Sequence, residues 1–316
     1  MDSRGAAITT QQPRHLRLRH WRDWQSWLYL LALPLIVWWQ WTHGFVWWLY
    51  AIALFLTLGI GVIHHNHTHL RMWRGRGSRS ANRATDYWLT LLQGHPTFVF
   101  WPAHVDNHHR YRHGPKDIAR TYRFGGDTNH LWGYLVHPLQ AGWVLYPLFV
   151  RWLGNLHRHW PGAFRYCMGQ YALWLGSWAW LLAIDWQKAL VLVILPQLHG
   201  LHWLLATNYL QHAHADGTRL SRAQRDTEGC MLNYARNFEG LVNPLLFNIG
   251  LHTAHHECPH AHWSDLTHLH QRSYRHRVDP ALNEGGLVPY MARVFVWSLV
   301  WRPARSRSLM PPMEKK

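Results

Sequence analysis

Residues 45–69 read FVWWLYAIALFLTLGIGVIHHNHTH, and the reading of this stretch decides the fold. The block 45–63 contains no charged residue and approaches the ~20 apolar residues that a helix needs to cross ~30 Å of hydrocarbon. His64, His65, His67 and His69 follow at once, so an apolar helix runs directly into imidazoles. Just upstream, 24–42 (WQSWLYLLALPLIVWWQWT) is a second uncharged block, separated by only His43 and Gly44. Together the two predict a tight helical hairpin.

A second pair lies at 166–184 (YCMGQYALWLGSWAWLLAI) and 189–207 (ALVLVILPQLHGLHWLLAT), joined by Asp185-Trp186-Gln187-Lys188. Tryptophans gather at the block ends, as they do at a lipid interface. The mean hydropathy of −0.26 is low for a membrane protein. That average conceals a segregated chain, with apolar blocks separated by segments crowded with Arg and His. Lys plus Arg number 32 against 16 acids, for a net charge of +16 with His neutral. Five of these cations precede residue 24, thirteen lie in 64–165 and thirteen in 208–316, while the hairpin turns hold none and one. Four crossings put every basic segment on one side, which the positive-inside rule makes cytoplasmic, both termini included. Such a balance could also serve nucleic acid, but no nucleic-acid motif accompanies it.

The expected fold is therefore an all-α integral membrane protein, one domain over 1–316. It has four transmembrane helices in two hairpins, a cytoplasmic His-rich helical cap, and interfacial helices. Residues 131–153 (LWGYLVHPLQAGWVLYPLFVRWL) are apolar enough to suggest a fifth crossing, but Pro138, Pro147 and Arg151 argue for helices lying in the interface. Residues 287–301, interrupted by Arg293, receive the same reading, and a disordered tail is expected from about 303. Cys167, Cys230 and Cys258 form no CxxC pair, which favours a reducing compartment. The arginine-rich first 23 residues lack the apolar core of a cleavable signal peptide.

Four histidine clusters then fall at one depth. His65 and His69 stand at i and i+4, with His64 and His67 as competing choices. His104, His108 and His109 follow in the next segment; His212 comes after the fourth crossing, in Asn208-Tyr209-Leu210-Gln211-His212; His252, His255 and His256 come last. Each group is expected to share a helix face. Imidazole in its neutral form is the commonest side-chain ligand for Fe, Cu, Ni and Zn. Nine histidines exceed the four to six donors that one metal takes, so two metals are expected, each with a position open to oxygen or water. Asp106, Asp216 and Glu257 are the carboxylates expected to orient the imidazoles. The remaining histidines, among them His113, His137, His262 and His270, are expected to be surface or interfacial.

The boxes HNHTH (65–69), HVDNHH (104–109), NYLQH (208–212) and HTAHH (252–256) resemble those of the membrane fatty-acid desaturase and hydroxylase superfamily, over about residues 24–280. The resemblance implies a non-haem di-iron centre that uses O2 against an unactivated C–H bond. It implies His65, His69, His104, His108, His109, His212, His252, His255 and His256 as ligands, with Asn208 reaching iron through a water. The implied substrate is a fatty acyl chain drawn from the membrane, and the implied electron source a separate donor such as a ferredoxin or a cytochrome. Desaturation is the leading reaction; hydroxylation and oxidative decarboxylation of a free fatty acid to a terminal alkene are alternatives on the same scaffold. The HxxxHH spacing of the second box, where many acyl-CoA desaturases have HxxHH, is one shared with alkane hydroxylases. A His-rich metal transporter is the competing class; it requires ionisable groups along the crossings, where only His199 and His202 occur.

Overall fold

A computed structural model describes residues 15–311. The described chain is predominantly helical. Helix α1 spans Trp24–His43 and α2 spans Trp47–His69, so the apolar block and the first histidine box form one continuous helix. Gly44, at φ +104°, makes the turn between them in a conformation that L side chains rarely adopt. Helix α3 spans Ser78–Gln93, and a π-helical stretch at Trp101–His108 carries the second box. Helices α4 (Leu131–His159), α5 (Pro161–Lys188) and α6 (Leu195–His212) follow, and a short α7 at His252–Glu257 carries the last box. The only described strands are two-residue pairs, Arg17–Leu18 with Trp73–Arg74 and Asn237–Phe238 with Asn283–Glu284.

Helical dihedrals run almost without a break from α5 into α6, except at Asp185 (φ −156°, ψ 96°). The chain reverses there. Trp178 Nε1 donates to Gln197 Oε1 at 2.7 Å, a contact that residues 19 apart on one straight helix, ~28 Å of rise, could not make. Lys188 Nζ also donates to the Trp41 carbonyl at 2.9 Å, so the turn of this hairpin lies beside the end of α1. Both hairpin turns thus share one end of the molecule. The histidine boxes close the other end.

Two helical segments, Trp47–His69 and the run Pro161–His212, are long and apolar enough to cross a membrane. Exposure points the same way. Leu28, Leu31, Leu35 and Trp38 on α1, Trp47 and Ile52 on α2, and Leu175, Trp180 and Ile184 on α5 all face outward. These side chains give α1, α2 and α5 apolar outer faces. Inside it, Leu30, Leu33, Leu56, Ile60, Ile63, Leu89 and Trp203 form the core between α1, α2, α3 and α6.

Residues 131–153 depart from expectation. Where helices lying in the interface are expected, they belong to one 29-residue helix, α4, with Pro138 and Pro147 inside it. One face explains its continuity: Ala141, Leu145 and Phe149 are buried against Val99, Ala103 and Leu205. The opposite face exposes Trp132, Leu135, Leu139, Trp143, Tyr146 and Val150 as an apolar stripe. Packing along the buried face offsets the two missing backbone donors. In 287–301, Tyr290, Val294 and Phe295 are buried while Val296, Trp297 and Leu299 are exposed, and Arg293 pairs with Glu284 at 2.6 Å.

The disordered tail expected from about 303 also needs correction. Ser306 accepts from Asn129 Nδ2 at 2.8 Å and lies 2.6 Å from His214 Nδ1, and Ser308 donates to Asp127. Residues 303–311 are therefore fixed on the body; 312–316, like 1–14, lie outside the described residues.

Candidate metal centre

The apolar length of α2 and α6 carries their histidines to one end of the bundle, and the two short segments that follow supply the rest. Nine imidazoles meet there and divide into two groups. His65, His69, His104, His109 and His255 offer nitrogens that all lie within 4.8 Å of one another, and so do His108, His212, His252 and His256.

The division cuts across the boxes. In the second box His108 belongs to one group and its neighbour His109 to the other. An α-helix would leave His104 and His109 about 140° apart around its axis. The π-winding corrects this: the His109 N–H bonds the His104 carbonyl five residues back, and their Nε2 atoms stand 3.0 Å apart. The three histidines therefore do not share one face, as the spacing had suggested. Helix α7 divides in the same way, with His255 on one side and His252 and His256 on the other. Its first turn is held by Asn237, whose Oδ1 accepts from Thr253 N at 2.9 Å.

Distances decide what these groups can hold. His255 Nε2 is 2.7 Å from His65 Nε2 and 3.1 Å from His109 Nε2; His252 Nε2 is 3.1 Å from both His212 Nε2 and His256 Nε2. A neutral imidazole nitrogen is either an N–H or a lone pair, so such convergence cannot be satisfied by hydrogen bonds among the imidazoles alone. Two nitrogens bound to one metal at about 2.1 Å and at right angles would lie about 3.0 Å apart. The observed spacing fits that arrangement. His69 Nε2, buried without a hydrogen-bond partner among the described residues, fits it as well. Burial first, and the neighbouring imidazoles second, hold His104, His109, His252, His255 and His256 well below the usual histidine pKa. They are neutral, the form that binds metal.

The supporting residues are mostly not those the sequence suggested. His108 Nδ1 donates to Asp117 Oδ2 at 2.7 Å, and Asp117 also accepts from the backbone N–H groups of His113 and Ala119, both at 2.8 Å. Burial alone would raise this carboxyl's pKa, but the His108 ring and these N–H donors hold it below the ordinary value. His212 Nδ1 donates to the Tyr234 carbonyl at 2.7 Å, and Tyr234 Oη donates to Glu257 at 2.6 Å. Glu257 pairs with Arg112, which also donates to the His256 carbonyl, so it braces the last box without touching an imidazole. Asp106 is exposed, and Asp216 accepts from Thr218 N; neither orients a ligand. Arg236, 1% exposed, donates to the Leu210 and Ala213 carbonyls at 2.9 Å and caps α6 where His212 ends it.

His64 and His67 turn away from both groups. His64 Nε2 donates to the Thr97 carbonyl at 3.0 Å, while His67 Nδ1 accepts from Met72 N at 3.2 Å and its Nε2 faces Asp86. Asn208 lies outside both groups, its amide nitrogen 2.6 Å from the Ala119 carbonyl and 3.3 Å from His137 Nε2. His113, His137, His262 and His270 are buried instead of surface-lying, and His113 stacks on His212 at 5.1 Å between ring centroids. Cys167, Cys230 and Cys258 are free.

Beneath the imidazoles lies a cavity of about 940 Å³, at the upper end of what small-molecule sites enclose. His65, His104, His108 and His252 line its histidine end, with Asn208 and Gln211 beside them. Val99, Phe100, Leu145, Phe149, Leu201 and Leu205 make its apolar walls. Leu139, Trp143 and Tyr146 of the exposed α4 stripe also line it, so it reaches the lateral surface of the bundle. No Asp, Glu, Lys or Arg is among its described lining residues.

The sequence model of the fatty acid desaturase family matches residues 40–284, a span that contains all four boxes. No curated protein matches the chain.

Proposed function

The chain belongs to the fatty acid desaturase family, and from this membership we propose that it is a multi-pass membrane enzyme that oxidises a fatty acyl chain, with desaturation as the reaction. One observation carries the reading: two groups of converging, buried or partly buried imidazoles stand at the end of an apolar cavity that opens sideways. Four helices, α1, α2, α5 and α6, cross the bilayer, and the histidine end faces the cytoplasm because the basic segments flank it.

His65, His69, His104, His109 and His255 would hold one iron, and His108, His212, His252 and His256 the other. The pair would supply O2-dependent chemistry strong enough to take hydrogen from an unactivated methylene, with electrons from a separate donor. The chain's own contribution is positional. Asp117 and the Tyr234 carbonyl fix the rings of His108 and His212 by holding their Nδ1–H groups. Val99, Phe100, Leu205 and Ile249 exclude water and lay the acyl chain against the imidazole end. Taking hydrogen from two adjacent carbons gives an alkene, and an alcohol would result from oxygen transfer to one. These outcomes differ by small shifts of the chain at the cavity end.

Gas chromatography of lipids and volatiles from cells expressing the chain, with and without His256→Ala, tests the reading. An internal alkene that disappears in the variant is expected. An alcohol or a one-carbon-shorter terminal alkene would replace desaturation with hydroxylation or decarboxylation. Zinc or copper in variable ratio, with no oxidised lipid, would favour metal transport instead.

A further inference from the structure

The cavity lining also includes polar side chains that belong to neither histidine group, His95 and Trp174 among them. His95 follows Gly94, which caps α3 at φ +66° and packs its Cα against the Gln197 side chain. Trp174 of α5 packs on Trp178 at 5.2 Å, and Trp178 Nε1 bonds the same Gln197. Gly94, next to His95, and Trp178, packed on Trp174, thus meet at one residue of α6, and His95 and Trp174 both line the cavity.

Each presents a buried polar atom with no hydrogen-bond partner among the described residues: Nε2 of His95, a side chain 7% exposed, and Nε1 of Trp174. Their roles are fixed by chemistry. The contact of His95 Nδ1 with the Pro96 carbonyl, at 3.2 Å, requires Nδ1 to carry the proton, since a carbonyl only accepts. Nε2 is then a bare lone pair. Burial keeps the ring neutral by lowering its pKa to about 4. Trp174 Nε1 can only donate. An acceptor and a donor left unsatisfied in an apolar cavity are costly unless a ligand completes them.

We propose that His95 and Trp174 seat the neutral carboxyl group of an unesterified fatty acid, its O–H donating to His95 Nε2 and its C=O accepting from Trp174 Nε1. The proposal rests on the reading of the cavity as an acyl site and names the head group it takes. A protonated acid matches this pair, whereas an ester or thioester has the carbonyl but no O–H. The lack of any lining cation fits a neutral head group and disfavours a carboxylate or a phosphate-bearing carrier.

Displacement of a fluorescent fatty-acid probe from the full-length, iron-loaded protein in nanodiscs tests this, using hexadecanoic acid, its methyl ester, its coenzyme A thioester and hexadecane. The wild-type protein is expected to bind the acid about tenfold more tightly than the ester or thioester, as one well-made buried hydrogen bond allows. His95→Leu should weaken the acid by about tenfold and leave the ester unchanged. Trp174→Phe should weaken acid and ester together and leave hexadecane unchanged, and this mild variant guards against misfolding of the first. Equal binding of acid, ester and thioester by wild type, or an acid preference that survives His95→Leu, would overturn the carboxyl seat while leaving the acyl cavity standing. Failure of all four compounds to displace the probe would overturn the acyl cavity itself.

Discussion

The His109 backbone N–H bonds the His104 carbonyl five residues back, and the same π-turn sets the two Nε2 atoms 3.0 Å apart. The extra residue in HxxxHH is absorbed by this wider winding, which sends His104 and His109 to one group and His108 to the other. Adjacent histidines should then have separable effects. His109→Ala and His108→Ala are each expected to lower iron from about two per chain to about one. Elemental analysis gives the stoichiometry, and Mössbauer spectra should show a different surviving iron in each variant. Identical residual spectra would refute the partition.

Asp117 shows what the sequence could not disclose. The apolar helices were legible because apolar length is a local property: 24–42 and 45–63 fall within or beside α1 and α2, and 166–184 lies inside α5. The histidines were legible because their spacing is helical. Asp117 sits in a loop, Gly114-Pro115-Lys116-Asp117, with no periodicity to mark it, and becomes the partner of His108 only through tertiary folding. Arg236 and the continuity of α4 were hidden for the same reason. Asp106 and Glu257 stand closer in sequence to the ligands yet do not reach an imidazole.

Asp117→Ala should therefore weaken metal at the four-histidine group by about 10–100-fold, the usual cost of removing a carboxylate behind a ligating histidine. Chelator competition followed by elemental analysis reads this out, and the five-histidine group should keep its metal. Asp106→Ala is the control, expected to change neither. An equal effect of the two substitutions would show that Asp117 does not orient His108.

Acid should destabilise the fold through histidines buried in the neutral form. Burial lowers His95 to about 4 and His113 to about 3, against an ordinary value of 6.5. The unfolded chain takes up protons below about 6.5, while the folded chain resists until pH reaches about 4 or 3. Stability is fully present above 6.5 and falls with pH below it, by about 1.4 kcal/mol per pH unit for each such group. His113→Phe keeps an aromatic ring beside His212 and removes one titration. Its denaturation midpoint should fall less steeply between pH 6 and 4, by about one proton's worth, in unfolding titrations in detergent. A slope identical to wild type would show that His113 is not held neutral.

Gly142 offers a test of the cavity that leaves the metal groups alone. It lies on α4 and lines the cavity, and a Cβ built there meets no atom within 4 Å. A larger side chain can therefore enter the open space without pushing on backbone, and replacing Gly by Phe inside a helix costs nothing in propensity, since Gly ranks below Phe. Gly142→Phe is expected to fold and to retain iron as wild type does. Its turnover of long acyl chains should fall by at least about tenfold, since misplacement by about an ångström is enough to cost this much. Product chromatography against a series of chain lengths is the measurement, with iron content taken on the same samples. Chains short enough to stop before residue 142 should be processed at near wild-type rates. Unchanged turnover across the series would mean that the acyl chain does not run past Gly142, and that the substrate reaches the histidines by another route.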